Sequence, residues 1–393
     1  GAPGRARAAA GGARPALLSS SGVTSAMSRR FPHTVGLLEA GIHQGLHLGA
    51  QLQVSLRGEV AADLALGEAR PGEPLTPAHL MLWLSATKPI TAVAVAQLWE
   101  RGKLGLDDRV VRHIPEFGQG GKEAITIRHL LTHTGGFRGF EIGWPRATWE
   151  EVLERVCALR LEPRWVPGEK AGYHMSSSWF VLGELVRRLD GRPFPRYVRE
   201  EIFAPLAMDD CWIGMPLERF QAYGDRLAPM WLTTGAPPRP HAWTDEAHLT
   251  GCSPGGNGCG PARELGRFYR MLLAGGSLDG KRIVAPQTVE ALVARHRTGL
   301  FDQTFRKVMD WGLGFIPNPA IYGDPDVPYA YGPHASRRAY GHSGYRSSTA
   351  FADPEHGLAV ALIVNGTPED EAHLRRFQAL TAAIYEDLGL ARG

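Results

Sequence analysis

Lysine is scarce in this chain. Of 43 basic residues only six are lysine: Lys88, Lys103, Lys122, Lys170, Lys281 and Lys307. A lysine inside an apolar stretch therefore stands out. Cysteine is scarcer still, with Cys157, Cys211, Cys252 and Cys259, none of them in a CxxC pair. No histidine cluster complements them, which leaves no case for a zinc site and no reason to expect a metal or an organic cofactor. Reduced structural thiols are the expectation, with a Cys252–Cys259 disulfide as the alternative. No apolar run reaches the roughly 18 residues that a membrane span needs. Acid is absent from residues 1–38, which hold five arginines, so the net charge of +3 leaves −2 for the rest. A body so near neutrality gives no electrostatic argument for binding nucleic acid. Residues 1–26 are rich in Ala, Gly, Arg and Ser and lack the uninterrupted apolar core of a secretory signal. Met27 followed by Ser28, Arg29 and Arg30 reads as a start, so residues 1–30 are expected to be a disordered leader outside the fold. A cytoplasmic protein is the expectation and an Arg-rich targeting leader the alternative.

What is present is ordinary globular composition, 44% hydrophobic and 21% charged, in a chain long enough for two or three lobes. Apolar residues at Val35, Leu37, Leu38, Ile42 and Leu46 predict an amphipathic helix over residues 33–46. Gln51 to Ser55 alternates in polarity, and an Arg57-Gly58 turn leads to a hairpin partner, Val60 to Leu66. Between about residues 105 and 300, predicted helices alternate with Pro/Gly loops, at 127–131, 149–159, 177–189, 262–274 and 286–295. Strands return at 347–352 and 358–364 around the turn Asp353-Pro354-Glu355-His356-Gly357, and a closing helix is predicted over 369–388. A lone hairpin is only marginally stable, so strands from the two ends of the chain must share one antiparallel sheet. The expected fold class is α/β (α+β). An antiparallel sheet flanked by helices comes from about residues 31–82 and 305–393, an all-helical lobe of about 83–304 is inserted, and 31–393 forms one catalytic domain.

The stretch from Leu80 to Leu98 is apolar but contains Pro89. Proline is tolerated near a helix start, where its missing N–H costs nothing, so a helix is expected to begin close to Ser85. Ser85-Ala86-Thr87-Lys88 then sets a hydroxyl and an amine three residues apart on one helix face. A serine hydroxyl is a poor nucleophile until a base takes its proton. Lysine serves as that base only when neutral, and burial among Leu80, Leu82, Trp83, Leu84 and Ile90 would make it so. A helix N-terminus also favours the negative charge that develops on attack. The four residues alone are a weak signal, since with six lysines roughly 0.25 such matches arise by chance. The bland alternative is a capping serine beside a surface lysine, which the apolar flanks disfavour.

The wider context resembles a known family. Trp83-Leu84-Ser85 through Lys103-Leu104-Gly105-Leu106-Asp107-Asp108 resembles the SxxK helix of the class C β-lactamase group. Ile127-Arg128-His129-Leu130-Leu131-Thr132-His133-Thr134-Gly135-Gly136 is similar to a signature of family VIII carboxylesterases, D-amino-acid peptidases and related acyltransferases. Pro167-Gly168-Glu169 to Tyr173, Leu182-Gly183, Ser253-Pro254-Gly255-Gly256 to Leu273, Trp311-Gly312-Leu313-Gly314-Phe315 and Gly341-His342-Ser343-Gly344 follow in the family's order. On these blocks, over about residues 35–390, the chain is identified as a member of the serine β-lactamase and penicillin-binding-protein superfamily. It most resembles the β-lactamase-like family VIII carboxylesterases and acyltransferases. The resemblance implies Ser85 as nucleophile, Lys88 as its base, and Tyr173 as the group that shares the proton with Lys88 and delivers it to the leaving group. It implies an oxyanion hole from the N–H groups of Ser85 and Tyr345. His342, Ser343 and Gly344 would lie on an edge strand lining the cleft, with Gly344 admitting the substrate closely. Trp311 and Met175 would also meet the substrate, Trp311 in the acyl pocket. A phenol near an ammonium has its anion stabilised, so the Tyr173 pKa is expected to fall toward the working range.

Two departures from the family pattern bear on the substrate. Met175 replaces an asparagine that offers amide hydrogen bonds, and His342 replaces a lysine that attracts a carboxylate. Both favour ester or acyl-transfer chemistry over efficient β-lactam hydrolysis. The expected activity is hydrolysis of a small-molecule carboxylic ester or amide through a Ser85 acyl-enzyme. An acyltransferase is the nearest alternative, then a D-amino-acid peptidase or β-lactamase, then an inactive binding or scaffold relative. Gly251-Cys252-Ser253-Pro254-Gly255 also fits GxSxG. The polar residues before it and Pro254 after Ser253 do not suit a strand–nucleophile–helix elbow, so Ser253 is expected to begin a loop beside the cleft. His133 is read as structural, and Tyr322, Tyr329 and Tyr331 as either surface loop or substrate rim.

Overall fold

The computed structural model describes residues 25–392. Most of the expected leader lies outside the described residues, but its end, Ser25–Arg30, is helical rather than disordered. Met27 packs against the apolar cluster below it, which gives this turn something to hold. Seven antiparallel strands form the main sheet: β1 (Gly49–Leu56), β2 (Glu59–Arg70), β3 (Glu73–Pro74), β4 (Ile316–Pro317), β5 (Tyr340–Gly344), β6 (Ser348–Asp353) and β7 (Leu358–Val364). Their spatial order is β4-β5-β6-β7-β1-β2-β3. The ends of the chain meet where β1 pairs with β7, Leu52 opposite Leu362 and Val54 opposite Val360. The β1–β2 turn closes in two residues because Arg57 and Gly58 both take positive φ, 51° and 87°.

Both faces of the sheet are covered, and side-chain alternation decides what each face meets. On β7, Leu358, Val360, Leu362 and Val364 pack with Val35 and Leu38 of helix Pro32–His43 and with Leu380 and Ile384 of helix Asp370–Asp387. The other face presents Ala359, Ala361 and Ile363 to Leu265, Phe268 and Leu272 of helix Ala262–Leu273. Each large side chain so buried contributes roughly 1.5–3 kcal/mol. That helix falls within the segment expected to form the inserted lobe, yet its apolar stripe seats it on the sheet. The rest of the inserted segment is mainly helical, with short sheets among the helices; one joins Met81–Leu84, Gly258–Gly260 and Trp212–Ile213. At its centre runs helix Lys88–Glu100, buried at every position from Lys88 to Leu98. A helix apolar all round belongs in the interior, and its N-terminus ends against β5, where sheet and helices meet. No helix among the described residues is long and apolar enough to cross a membrane. The four cysteines are free thiols, so the Cys252–Cys259 disulfide is not formed.

Candidate active site

Strand Met81–Leu84 runs straight into a 3₁₀ turn, Ser85–Thr87, and then into the central helix, with Pro89 in its first turn. Leu84 makes the junction with φ 52° and ψ −131°, a region that residues with a side chain rarely enter. Such strain costs ~1–3 kcal/mol and persists where neighbours over-determine it. The neighbours are visible. Thr87 Oγ1 donates to the Leu84 carbonyl at 2.6 Å and accepts from the Gly258 N–H at 2.7 Å. Ser348 Oγ donates to the Trp83 carbonyl at 2.7 Å. A Cβ on Gly344 would collide with the Trp83 carbonyl oxygen and crowd Leu84. Gly344 therefore serves the approach of β5 to the backbone before Ser85. That contact brings Tyr345, the first residue beyond β5, to the Ser85 turn.

Lys88 is fully buried. Its Nζ lies 3.1 Å from Ser85 Oγ, 2.9 Å from the Met175 carbonyl and 2.8 Å from the Gly255 carbonyl. None of these partners is a carboxylate, and burial holds the amine's pKa well below its ordinary value. A neutral amine has two N–H groups and one lone pair. Carbonyl oxygens only accept, so the two carbonyls take N–H groups of Lys88, and Ser85 Oγ is the neighbour with which the amine, once neutral, can exchange a proton. Tyr173 Oη donates to the same Oγ at 2.7 Å, which leaves the serine proton for the amine. Here the sequence expectation fails. The Tyr173 pKa is pushed well above its ordinary value, first by burial and further by Tyr329 and Asp302, against the smaller lowering from Ser85. The burial that makes Lys88 a base also removes the ammonium that was to stabilise a phenolate. Tyr173 is a neutral proton donor in the resting site.

Of the residues that support the site, Arg297, Asp302 and Arg376 had no signal in the sequence, whereas His133 was read there as structural. Beneath Tyr173, Arg297 Nη2 pairs with Asp302 Oδ2 at 2.9 Å, both side chains buried. Asp302 Oδ1 accepts from the N–H groups of Tyr173, Thr304 and Phe305 at 3.1, 2.9 and 2.9 Å. Arg297 donates in turn to the Met309 and Thr132 carbonyls. The pair fastens the Tyr173 segment to residues 302–305. His174 Nε2 accepts from the N–H groups of Gly136 and Phe137 at 3.0 and 3.1 Å, and its Nδ1 donates to the Gly172 carbonyl at 2.6 Å. Burial lowers its pKa to about 4, so it stays a neutral acceptor. His133 Nδ1 accepts from the His174 N–H at 2.8 Å, and its ring lies 4.7 Å from that of Tyr173. Arg376, buried without a carboxylate partner, donates to the carbonyls of Arg346 (2.8 Å), Gly366 (3.0 Å) and Leu46 (2.9 Å). It thereby holds the turn that follows Tyr345.

The residues expected to meet substrate divide into two sets. Met175 is 49% exposed and Tyr345 43% exposed, at the mouth of the site. His342, Ser343 and Trp311 are buried. Ser343 Oγ donates to Thr349 Oγ1 at 3.0 Å. The rings of His342 and Trp311 lie 6.1 and 5.8 Å from that of Tyr173, forming a floor behind it. Burial lowers the His342 pKa to about 3, so it offers no charge to a carboxylate. Of the three loop tyrosines, Tyr331 is buried and donates to the Ile316 carbonyl, and Tyr322 donates to Asp310. Only Tyr329 faces the site, its ring 5.6 Å from His342 and 6.4 Å from Tyr173. Ser253 follows helix Glu246–Thr250 and precedes strand Gly258–Gly260, so no nucleophile elbow is made. Among the described residues no group of three or more His, Cys, Asp or Glu is arranged to hold a metal.

The profile of the Beta-lactamase family matches residues 36–383. Esterase/beta-lactamase LipL of Mycobacterium tuberculosis is 27% identical over 81% of this chain and 77% of its own length. Esterase EstB of Burkholderia gladioli is 29% identical over 81% of this chain and 86% of its own. Among solved structures, a family VIII carboxylesterase superposes with a TM-score of 0.74 at 26% identity, covering 90% of this chain and 97% of that one. With a profile match over most of its length and a serine, lysine and tyrosine gathered where sheet and helices meet, the chain belongs to the beta-lactamase family.

Proposed function

We propose that this protein is a serine hydrolase that cleaves carboxylic esters through an acyl-enzyme on Ser85. The observation that carries the reading is the fully buried Lys88, whose Nζ meets Ser85 Oγ and two backbone carbonyls with no carboxylate among those partners, while burial lowers its pKa. Lys88 Nζ takes the Ser85 proton as Oγ attacks the ester carbonyl carbon. The N–H groups of Ser85 and Tyr345 hold the oxyanion. On collapse the bond to the alcohol oxygen breaks, Tyr173 gives that oxygen its proton, and the Lys88 ammonium restores the proton to Tyr173. Water then attacks the acyl-Ser85 ester and loses a proton to the same base, the bond to Ser85 Oγ breaks to release the acid, and Lys88 returns the proton to Oγ. The esterase names of LipL and EstB support this substrate class. Met175 and the neutral His342 weigh against efficient β-lactam hydrolysis. Turnover of a chromogenic cephalosporin should be at least ~100-fold poorer than that of a short-chain ester, about 2.7 kcal/mol in barrier. Comparable rates would contradict that preference.

The test is release of p-nitrophenol from p-nitrophenyl butyrate by the wild type and by Ser85→Ala. The wild type should turn over and the variant fall to background, a loss of at least ~10³-fold. Equal rates would remove Ser85 from the chemistry.

A further inference from the structure

Beside the aromatic residues that pack on Tyr173 lies a cavity of about 450 Å³ that the steps above leave unused. Pockets of roughly 300–1,000 Å³ hold compact organic molecules. Its inner wall is Thr304, Phe305, Tyr329 and Tyr345, and its outer wall includes Leu374 and Phe377 from helix Asp370–Asp387. The inner wall is also the surround of Tyr173. The Phe305 ring lies 4.8 Å from the Tyr173 ring, Tyr329 lies 6.4 Å from it, and Thr304 Oγ1 donates to the Tyr173 carbonyl at 2.9 Å. Tyr173 is the proton donor, so the departing oxygen must come within ~2.6–3.2 Å of its Oη. Phe305 and Tyr329 belong both to the surround of Tyr173 and to the cavity wall, so the cavity adjoins the residue that gives the departing oxygen its proton.

The charges of the lining select further. Lys307 is paired with Asp324 at 2.6 Å, and Arg346 with Asp370 at 2.6 Å. Asp326 and Asp370 also line the cavity. His373 is kept neutral by burial, with its pKa lowered to about 3. Among the described residues of the lining, a ligand carboxylate would meet no unpaired cation and one carboxylate without an ion-pair partner, Asp326.

We propose that this cavity is the alcohol site of the enzyme, taking the neutral, aromatic or alicyclic alcohol of the ester, and the same kind of alcohol as acyl acceptor in place of water. The assignment rests on the reading of Ser85 as the acylated nucleophile. The acceptor enters by the path along which the first alcohol left. Its oxygen bonds to the acyl carbon as the carbon–Ser85 Oγ bond breaks. Its proton passes to Lys88, and the proton returned to Ser85 Oγ completes the exchange, so atoms and charge balance without another reactant.

The experiment compares kcat/KM for ethyl acetate and 2-naphthylmethyl acetate, and for benzyl and 4-carboxybenzyl acetate. The wild type should favour the naphthylmethyl and the uncharged benzyl ester by ~10-fold or more in each pair. Leu374→Trp narrows the cavity from the helix and Ala330→Trp from the facing loop, so loss of one variant to misfolding leaves the other. Either should cut the naphthylmethyl-to-ethyl ratio ~10-fold and reduce formation of naphthylmethyl butyrate from p-nitrophenyl butyrate and naphthylmethanol by a similar factor. An unchanged alcohol ratio, or a shift in the butyrate-to-acetate ratio instead, overturns the alcohol site and leaves the hydrolase reading standing. A wild type that never acylates Ser85 overturns both.

Discussion

Replacing Lys88 by methionine keeps most of its bulk and removes its lone pair. Lys88→Met should lose at least ~10³-fold in kcat/KM toward p-nitrophenyl butyrate. A second consequence concerns pH. The native amine's pKa is lowered by burial, so between that value and 10.5 the unfolded chain binds a proton that the folded chain does not. Wild-type stability therefore rises with pH over that range, and Lys88→Met lacks the effect. The difference in Tm, variant minus wild type, should shrink as pH is raised from about 7 toward 10. Thermal melts across that range check it, and a constant difference would mean that Lys88 is charged in the fold. For the same reason kcat/KM should fall on the acid side as Lys88 takes up its proton. Tyr173 makes a different prediction. A neutral phenol matters most when the leaving group needs a proton. Tyr173→Phe should therefore cost ethyl butyrate ~10²-fold or more, and p-nitrophenyl butyrate, which leaves as a stable anion, distinctly less. Equal losses would contradict the donor role. Ser85, Lys88 and Tyr173 were legible as residue types in a known order. The direction of the Tyr173 shift was not, because it depends on how completely the fold excludes water from both partners.

At the level of elements, the site depends on β5 lying against the backbone of Trp83 and Leu84. Gly344→Ala should push β5 away and move the Tyr345 N–H, with a loss in kcat of ~10²-fold and little change in KM. Steady-state kinetics on the folded variant checks this, and unchanged kcat would show that the turn tolerates the methyl group. Asp302→Ala leaves Arg297 buried and unpaired. Urea unfolding should show a loss of ~3–5 kcal/mol, as for other broken buried pairs. The sheet was legible because β1 alternates in polarity, β7 is a short apolar run, and turns mark both hairpins. Helix Ala262–Leu273 was legible as a helix but not as a partner of the sheet, since an apolar stripe does not say what it faces. Trp212–Ile213 is too short for any period to register. The Arg297–Asp302 pair spans a loop, where spacing carries no rule, and the positive φ of Leu84 belongs to a residue type that gives no hint of it.

Across the whole molecule, buried neutral histidines couple the fold to acid. Burial lowers the pKa of His47, His342 and His373 to about 3 and that of His174 to about 4. In the unfolded chain each titrates near 6.5, so below that pH the unfolded state holds more protons. Stability is complete above about pH 6.5 and is lost as pH falls toward 4, by up to ~1.4 kcal/mol per pH unit for each histidine. Urea midpoints should fall steeply between pH 6.5 and 4, whereas a flat profile would mean that these rings are already charged or reach solvent. The arrangement of the two regions has a catalytic counterpart, because strand β5 packs against the turn Ser85–Thr87 from which the central helix starts. The most direct test of that meeting is the intact mass of the protein, acid-quenched during turnover of p-nitrophenyl butyrate, followed by peptide mapping. The wild type should carry one butyryl group, on the peptide that contains Ser85, and Ser85→Ala should carry none. Turnover with the butyryl group on another residue, Ser253 included, would contradict the account.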